Sequence, residues 1–322
     1  FVFISLMRGA GDTITPMLVM FGTVVLNVVL DPFLINGWAL GPVAFPELGI
    51  QGAAIATVFS RAIAMLAGLV IMESGRRGIQ IHLSQMVPDF QYLRKILAIG
   101  VPASIEGTGR ALSINLLLVI VGMFSTPVVA AFGIGTRVFS VIFLPAIAVA
   151  RGVETMSGQN IGAGKYDRAE RANYVAAKGL FVILALVGVG IFLVPGPIVG
   201  AFTDDPAVLD VGTQFLRYVS LSFGFIGIMR AFTGGFRGAG KTLIAAAISI
   251  LTLAGIRLPV AYVASQYLFG VRGIWMAFFV SNVAGAGIAW LWFRRGTWRE
   301  GDVRSSVAPD APDDVDASAL DD

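Results

Sequence analysis

Asn27 and Asp31 stand one helical turn apart in the stretch NVVLDPFLI, inside an otherwise apolar run from about 14 to 36. A carboxylate within such a run is costly to place in lipid, so it faces a cavity or a partner and marks a functional site by default. The next apolar run starts near Gln51 and carries Ala53 and Thr57, again spaced i, i+4 on one helix face. If the connecting loop lies outside the membrane, Asp31 sits about 7 Å and Thr57 about 9 Å inside their helix ends at a rise of 1.5 Å per residue. An amide, a carboxylate and a hydroxyl then share one level on antiparallel neighbours. Such hard oxygens suit Na⁺ or a proton. The competing reading makes Asp31 a structural ion pair with Arg61, whose depth differs by about 7 Å on the same rise. The two states are compatible as alternating steps of one cycle.

A second carboxylate, Glu106, falls about 17 Å along its own apolar run, near mid-span. Arg110 follows at i+4, the favourable order for an intrahelical pair. Against that reading stands a cavity acid that attracts a cationic substrate or takes up a proton. Asn115, Arg137 and Arg257 read as helix–helix glue, and Met65, Phe139, Phe143, Phe223 and Phe225 are candidates to line an adaptable cavity.

The elements that must position these residues follow from composition. Of 322 residues, 56% are hydrophobic and 13% charged, with a mean hydropathy of +0.82; soluble domains carry about 25% charged residues. The chain is therefore expected to be an all-α polytopic membrane protein. Apolar runs are expected at 1–7 (partial), 14–36, 51–73, 95–123, 128–150, 173–195, 208–234, 242–265 and 271–293. Connectors 8–13, 74–94, 151–172 and 235–241 and the C-terminal segment hold the loop lysines and arginines, while 37–50, 124–127, 196–207 and 266–270 hold none. By the positive-inside rule the first set is cytoplasmic, so the linker and C-terminus face the cytoplasm of a multi-pass plasma-membrane protein.

The sequence also repeats. Arg8-Gly-Ala-Gly11-Asp12-Thr13 returns as Arg237-Gly-Ala-Gly240-Lys241-Thr242, and Gly49-Ile-Gln-Gly52 returns as Gly270-Val-Arg-Gly273, with Ser60 matched by Ser281. Both copies run from a cytoplasmic loop through two spans, as in transporters built from parallel halves. The second copy closes a set of six spans; the first is only the end of one. The expected organisation is the end of an N-terminal lobe at 1–73, a cytoplasmic linker at 74–94, a six-helix C-terminal lobe at 95–295 and an acidic disordered tail at 296–322. By this symmetry the first lobe lacks about its first three to four spans, and the opening FVFISLMRG reads as the last turns of a helix and not as a signal peptide.

Several chemistries fall away. With no cysteine and a single histidine, His82 in a polar connector, thiolate sites and histidine triads are excluded. Residues 235–242, GFRGAGKT, satisfy the P-loop pattern, but they join two spans where a P-loop needs a preceding β-strand. The chain is not expected to be an enzyme, to carry a cofactor or to bind nucleic acid.

Taken together, RGAGDTITP leading to NVVLDPFLI, then GIQGAAIAT, GVPASIE, GIGTRV, GQNIGAGKYDRAERA and FRGAGKT resemble, in order, the multidrug and toxic compound extrusion (MATE) family over about 1–295. The resemblance implies a two-lobe bundle of twelve helices around a central cavity, here lacking the first three to four, and export of cationic amphiphilic compounds in exchange for Na⁺ or H⁺. It places Asn27, Asp31, Ala53 (through its carbonyl) and Thr57 in a first-lobe cation site, with Na⁺ possible at Asn27, Asp31 and Thr57. The family's further aspartate, on its first helix, has no counterpart. Glu106 matches an acid many members carry, whereas the acid some carry in the span at 208–234 has no counterpart in its interior, where Arg217 and Arg230 are the charged residues and Asp210 stands only at its start. The implied partners are the lipid bilayer and small organic cations, and the implied state is a monomer. Two alternatives stand beside it: a flippase for lipid-linked oligosaccharides, for which Arg110, Arg217, Arg230 and Arg257 supply pyrophosphate-binding charge, and a truncated fragment that does not transport.

Overall fold

The structure, a computed structural model, describes residues 2–40, 43–75 and 90–299. Its regular elements are helices, joined by short turns, apart from a two-residue antiparallel pair of β1 (Ala39–Leu40) with β2 (Val43–Ala44). The linker from 76 to 89, with His82, and the acidic tail from 300 lie outside the described residues. The chain forms two compact units, one up to Asp89 and one from Phe90.

The first unit holds α1 (Val2–Gly9), α2 (Ile14–Ile35) and α3 (Ile50–Glu73). Asp12 caps α2: its Oδ1 accepts from the backbone N–H of Ile14 and Thr15 at 3.1 and 2.9 Å, and its Oδ2 accepts from the Thr15 hydroxyl at 2.6 Å. The last carbonyls of α2 are satisfied by the returning loop, with Leu48 N–H on Leu34 and Gly49 N–H on Ile35, both at 3.1 Å.

The second unit holds α4 (Phe90–Gly122), α5 (Thr126–Gly162), α6 (Tyr166–Leu193), the short α7 (Pro195–Gly200), α8 (Pro206–Ser220), α9 (Phe223–Gly238), α10 (Thr242–Ile250), α11 (Leu258–Val263) and α12 (Val271–Arg294). Wider π-helical turns, Leu251–Arg257 and Ala264–Leu268, flank α11. Helix α9 runs through the centre and is buried on nearly every side. Its Phe232 joins Phe132, Phe215, Trp275, Phe278 and Phe293 in an aromatic core, with Phe215 edge-on to Trp275 at 4.6 Å between ring centres.

Among the described residues seven helices are long and apolar enough to cross a membrane, or eight if α8 and α9 form one span. Two expectations need correction. The run at 208–234 is not one helix: it breaks at Leu221–Ser222, and α8 and α9 meet at 49°. The connector expected at 151–172 is mostly helix, since α5 continues to Gly162 and only residues 163–165 turn. Arg151 and Glu154 pair along that extension at 2.9 Å, which keeps polar residues on a helix beyond its apolar stretch.

The sequence repeat is a structural one. Gly11 and Gly240 take φ of 90° and 73° and close their helices alike, with Asp12 N–H on Met7 at 2.9 Å and Lys241 N–H on Phe236 at 2.8 Å. Gly49 and Gly270 open α3 and α12 at φ 54° and 55°. Three residues on, Gly52 and Gly273 lie against the end of the preceding helix. A Cβ at Gly52 would stand 2.0 Å from the Leu34 oxygen, and one at Gly273 would stand 2.3 Å from the Ala264 carbonyl carbon. Since backbone cannot yield as a side chain would, Gly273→Ala is expected to destabilise by about 1–3 kcal/mol. Gly287→Ala on the same helix meets nothing within 4 Å and is expected to stay within about 0.5 kcal/mol of the parent. Thermal unfolding in detergent compares the two.

Candidate functional site

The four first-unit residues lie on two neighbouring antiparallel helices, each pair on its own. Asn27 Nδ2 donates to Asp31 Oδ1 at 3.4 Å along α2, and Thr57 Oγ1 donates to the Ala53 carbonyl at 2.9 Å along α3. All four are half-buried, and no hydrogen bond joins one pair to the other among the described residues. Asp31 forms no ion pair there with Arg61, which is exposed. The structural pairing with Arg61 is therefore not made in this conformation.

Pro32 adds a feature that the side-chain types alone did not point to. Lying inside α2, it has no N–H for the carbonyl of Val28, so that carbonyl loses its usual helical partner next to Asp31. The signal for it, a proline directly after the acid, was present in NVVLDPFLI. A carboxylate, an amide, a hydroxyl and backbone carbonyls form an all-oxygen donor set of the kind hard cations take. Among the described residues no group of three or more Asp, Glu, His or Cys could hold a metal, so a multi-carboxylate centre is not available.

The second unit is built differently. Glu106, 3% exposed, accepts three hydrogen bonds on one oxygen: from Arg110 Nη2 at 2.9 Å, Arg237 Nη2 at 2.5 Å and Ser249 Oγ at 2.9 Å. The intrahelical pair with Arg110 is real but only part of the arrangement. Arg237, expected to be a loop residue marking the cytoplasmic face, belongs to α9 and is the partner from another helix. No local spacing announces it, because 131 residues separate it from Glu106.

Arg230 lies two turns before Arg237 on α9 and is 7% exposed. Its guanidinium stands 4.4 Å from the centre of the Phe143 ring, and its side chain has no hydrogen bond or ion pair among the described residues. Arg110, Arg237, Glu106 and Arg151 are the charges within its electrostatic reach.

The remaining arginines do not join this group. Arg257, at the end of the first π-helical segment, donates to Ser281 Oγ at 2.9 Å and Asn282 Oδ1 at 2.7 Å, and it lies 4.4 Å over the Phe278 ring. Asn282 in turn donates to Ser222 Oγ at 2.8 Å, at the break between α8 and α9. This network links the π segment, α12 and the break, so Arg257 is glue between helices, as its sequence setting suggested. Asn115 is not, since it donates to Ala111 of its own helix at 2.8 Å. Arg217 lines a separate hollow with Asp210, Gln214 and Arg272. The P-loop-like stretch is the end of α9, a turn and the start of α10, and a Cβ at its first glycine, Gly235, would stand 2.0 Å from Asn173 Oδ1. That glycine serves helix packing.

Comparison with known proteins agrees with this architecture. Residues 102–263 match the MatE family model. A probable multidrug resistance protein NorM of Thermotoga maritima is 32% identical over 93% of the chain and 64% of its own length. An FAD transporter of Shewanella oneidensis is 30% identical over 86% of the chain and 60% of its own length. The chain thus spans somewhat less than two thirds of these relatives. The Vibrio cholerae MATE transporter VcmN in its bent form superposes with a TM-score of 0.82 at 24% identity, over 93% of the chain and 66% of the solved one. With its apolar spans, its paired glycine turns and this match over half its length, the chain belongs to the MatE family of membrane transporters.

Proposed function

We propose that the chain acts as a secondary active antiporter that exports small amphiphilic organic compounds in exchange for Na⁺ or H⁺ entering at Asn27, Asp31, Ala53 and Thr57. The observation that carries this reading is Asp31, a half-buried carboxylate on an apolar span whose side-chain partner among the described residues is the amide of Asn27, at 3.4 Å. An acid without a fixed counter-ion is available to a mobile cation. Coupling then requires that the cation bind the two access states with different affinity. Occupancy favours the outward-facing state from which cargo leaves. The orientation that goes with this places the linker and C-terminus in the cytoplasm, in line with the one-sided arginines and lysines.

The resemblance implies organic cations as cargo, and one relative is named for multidrug resistance. Another is named for FAD, a compound with two phosphates. The test is flux of ethidium, a cation, and of carboxyfluorescein, an anion, from proteoliposomes holding this chain under imposed Na⁺ and H⁺ gradients in turn. Efflux of either dye that depends on one gradient is the expected result; insertion without gradient-dependent flux of either would overturn the reading.

A further inference from the structure

We infer that the interior of the second unit binds an oxyanion, a phosphate or carboxylate on the transported compound, through Arg230 with Arg110 and Arg237. The balance of charge leads there. Three guanidinium groups share one carboxylate, and Glu106 has already committed an oxygen to Arg110, Arg237 and Ser249. Arg230 is left as a cation almost wholly removed from solvent, with no ion pair or hydrogen bond to an acid among the described residues and only the shared Glu106 within electrostatic reach. Its Nε is a buried donor without an acceptor, and so is Nε of Arg110. Buried donors and buried charges are normally paired, and guanidinium groups match the geometry of carboxylate and phosphate.

The placement suits a ligand as well as the charge does. Arg230 and Arg237 lie seven residues apart on one face of α9, about 10 Å along its axis. Glu106 holds Arg237 and Arg110 in place from α4, and the Arg110 side chain is 31% exposed, so the cluster opens to the surface of the unit. Phe143 under Arg230 stacks on Phe139 at 5.5 Å, and both rings are half-buried. An anion attached to a flat aromatic body would meet guanidinium groups at one end and rings at the other. This departs from the organic-cation cargo that the family resemblance implies. It rests on the transport reading only in assigning the anion to cargo.

The test is equilibrium binding to the full chain in phosphatidylcholine nanodiscs, read by flavin fluorescence, with flavin mononucleotide and riboflavin as probes. The two share a ring system and differ by one phosphate. Flavin mononucleotide is expected to bind about ten- to a hundredfold more tightly, the span for charge-assisted hydrogen bonds. Arg230→Gln is expected to erase that ratio by weakening flavin mononucleotide, and Arg230→Lys to restore part of it. Should Arg230→Gln fail to fold, Arg110→Gln is expected to reduce the same ratio, because Arg237 still holds Glu106. Equal affinity for the two flavins, or a ratio that survives these substitutions, overturns the site. If the preference vanishes when anionic phosphatidylglycerol replaces zwitterionic phosphatidylcholine, at a salt concentration that screens the membrane surface and preserves the preference in phosphatidylcholine, an anionic lipid headgroup is the occupant and the assignment to cargo is overturned. Binding needs no gradient, so it succeeds or fails independently of the exchange test.

Discussion

Asp31→Asn is expected to reduce gradient-driven flux to that of empty vesicles while leaving insertion and thermal stability at parent values. The asparagine keeps the size of the side chain and its capacity to accept a hydrogen bond from Asn27, at 3.4 Å in the parent. It removes the charge. A coupling ion shifts an access equilibrium only by its differential affinity for the two states, and couplings of this kind amount to about 1–3 kcal/mol, or roughly 5–150-fold. With no carboxylate, neither a proton nor Na⁺ has a charged ligand in the first unit's cluster, and that difference collapses. Stability is spared because Asp31 anchors no ion pair among the described residues. If Asp31→Asn melts early and transports normally, the carboxylate is structural.

Glu106→Gln is expected to behave in the opposite way, with a large loss of stability. Among the described residues its carboxylate is the only acid bonded to Arg110 and Arg237, and it also holds Ser249 of α10. Removing one partner of a buried pair leaves an uncompensated charge, at a cost of about 3–5 kcal/mol. Arg110 is partly solvated and recovers some of that, so most of the cost falls on Arg237, whose side chain is 13% exposed. The double variant Glu106→Gln/Arg237→Gln removes a charge of each sign and is expected to regain part of the loss. Melting in detergent, followed by intrinsic fluorescence, separates the three proteins. A single variant that melts with the parent would mean that the cluster does not hold α4 to α9 and α10.

Much of this was legible in the sequence because it is local. Hydropathy marked the spans, and the glycines at positive φ marked their ends: Gly11 and Gly240 after α1 and α9, Gly49 and Gly270 before α3 and α12. Asp31 stood out because a carboxylate in an apolar run is expensive wherever the helix packs. Polarity did not mark the end of α5, which runs on to Gly162. Polar composition signals where a helix can meet water, not where it stops. The break at Leu221–Ser222 was hidden because hydropathy continues through it, and because its support, Asn282 on Ser222, comes from 60 residues away. Arg237 was hidden for the same reason. Hydrogen bonds between distant helices leave no periodic trace.

The most direct test of the central claim is cation movement in proteoliposomes holding a pH-sensitive dye and, separately, a Na⁺-sensitive dye, after transported compound is added outside. The account predicts that one of the two cations leaves as the compound enters, and that Asp31→Asn abolishes this movement. Entry of the compound with neither cation moving, or the same exchange with Asp31→Asn, would contradict it.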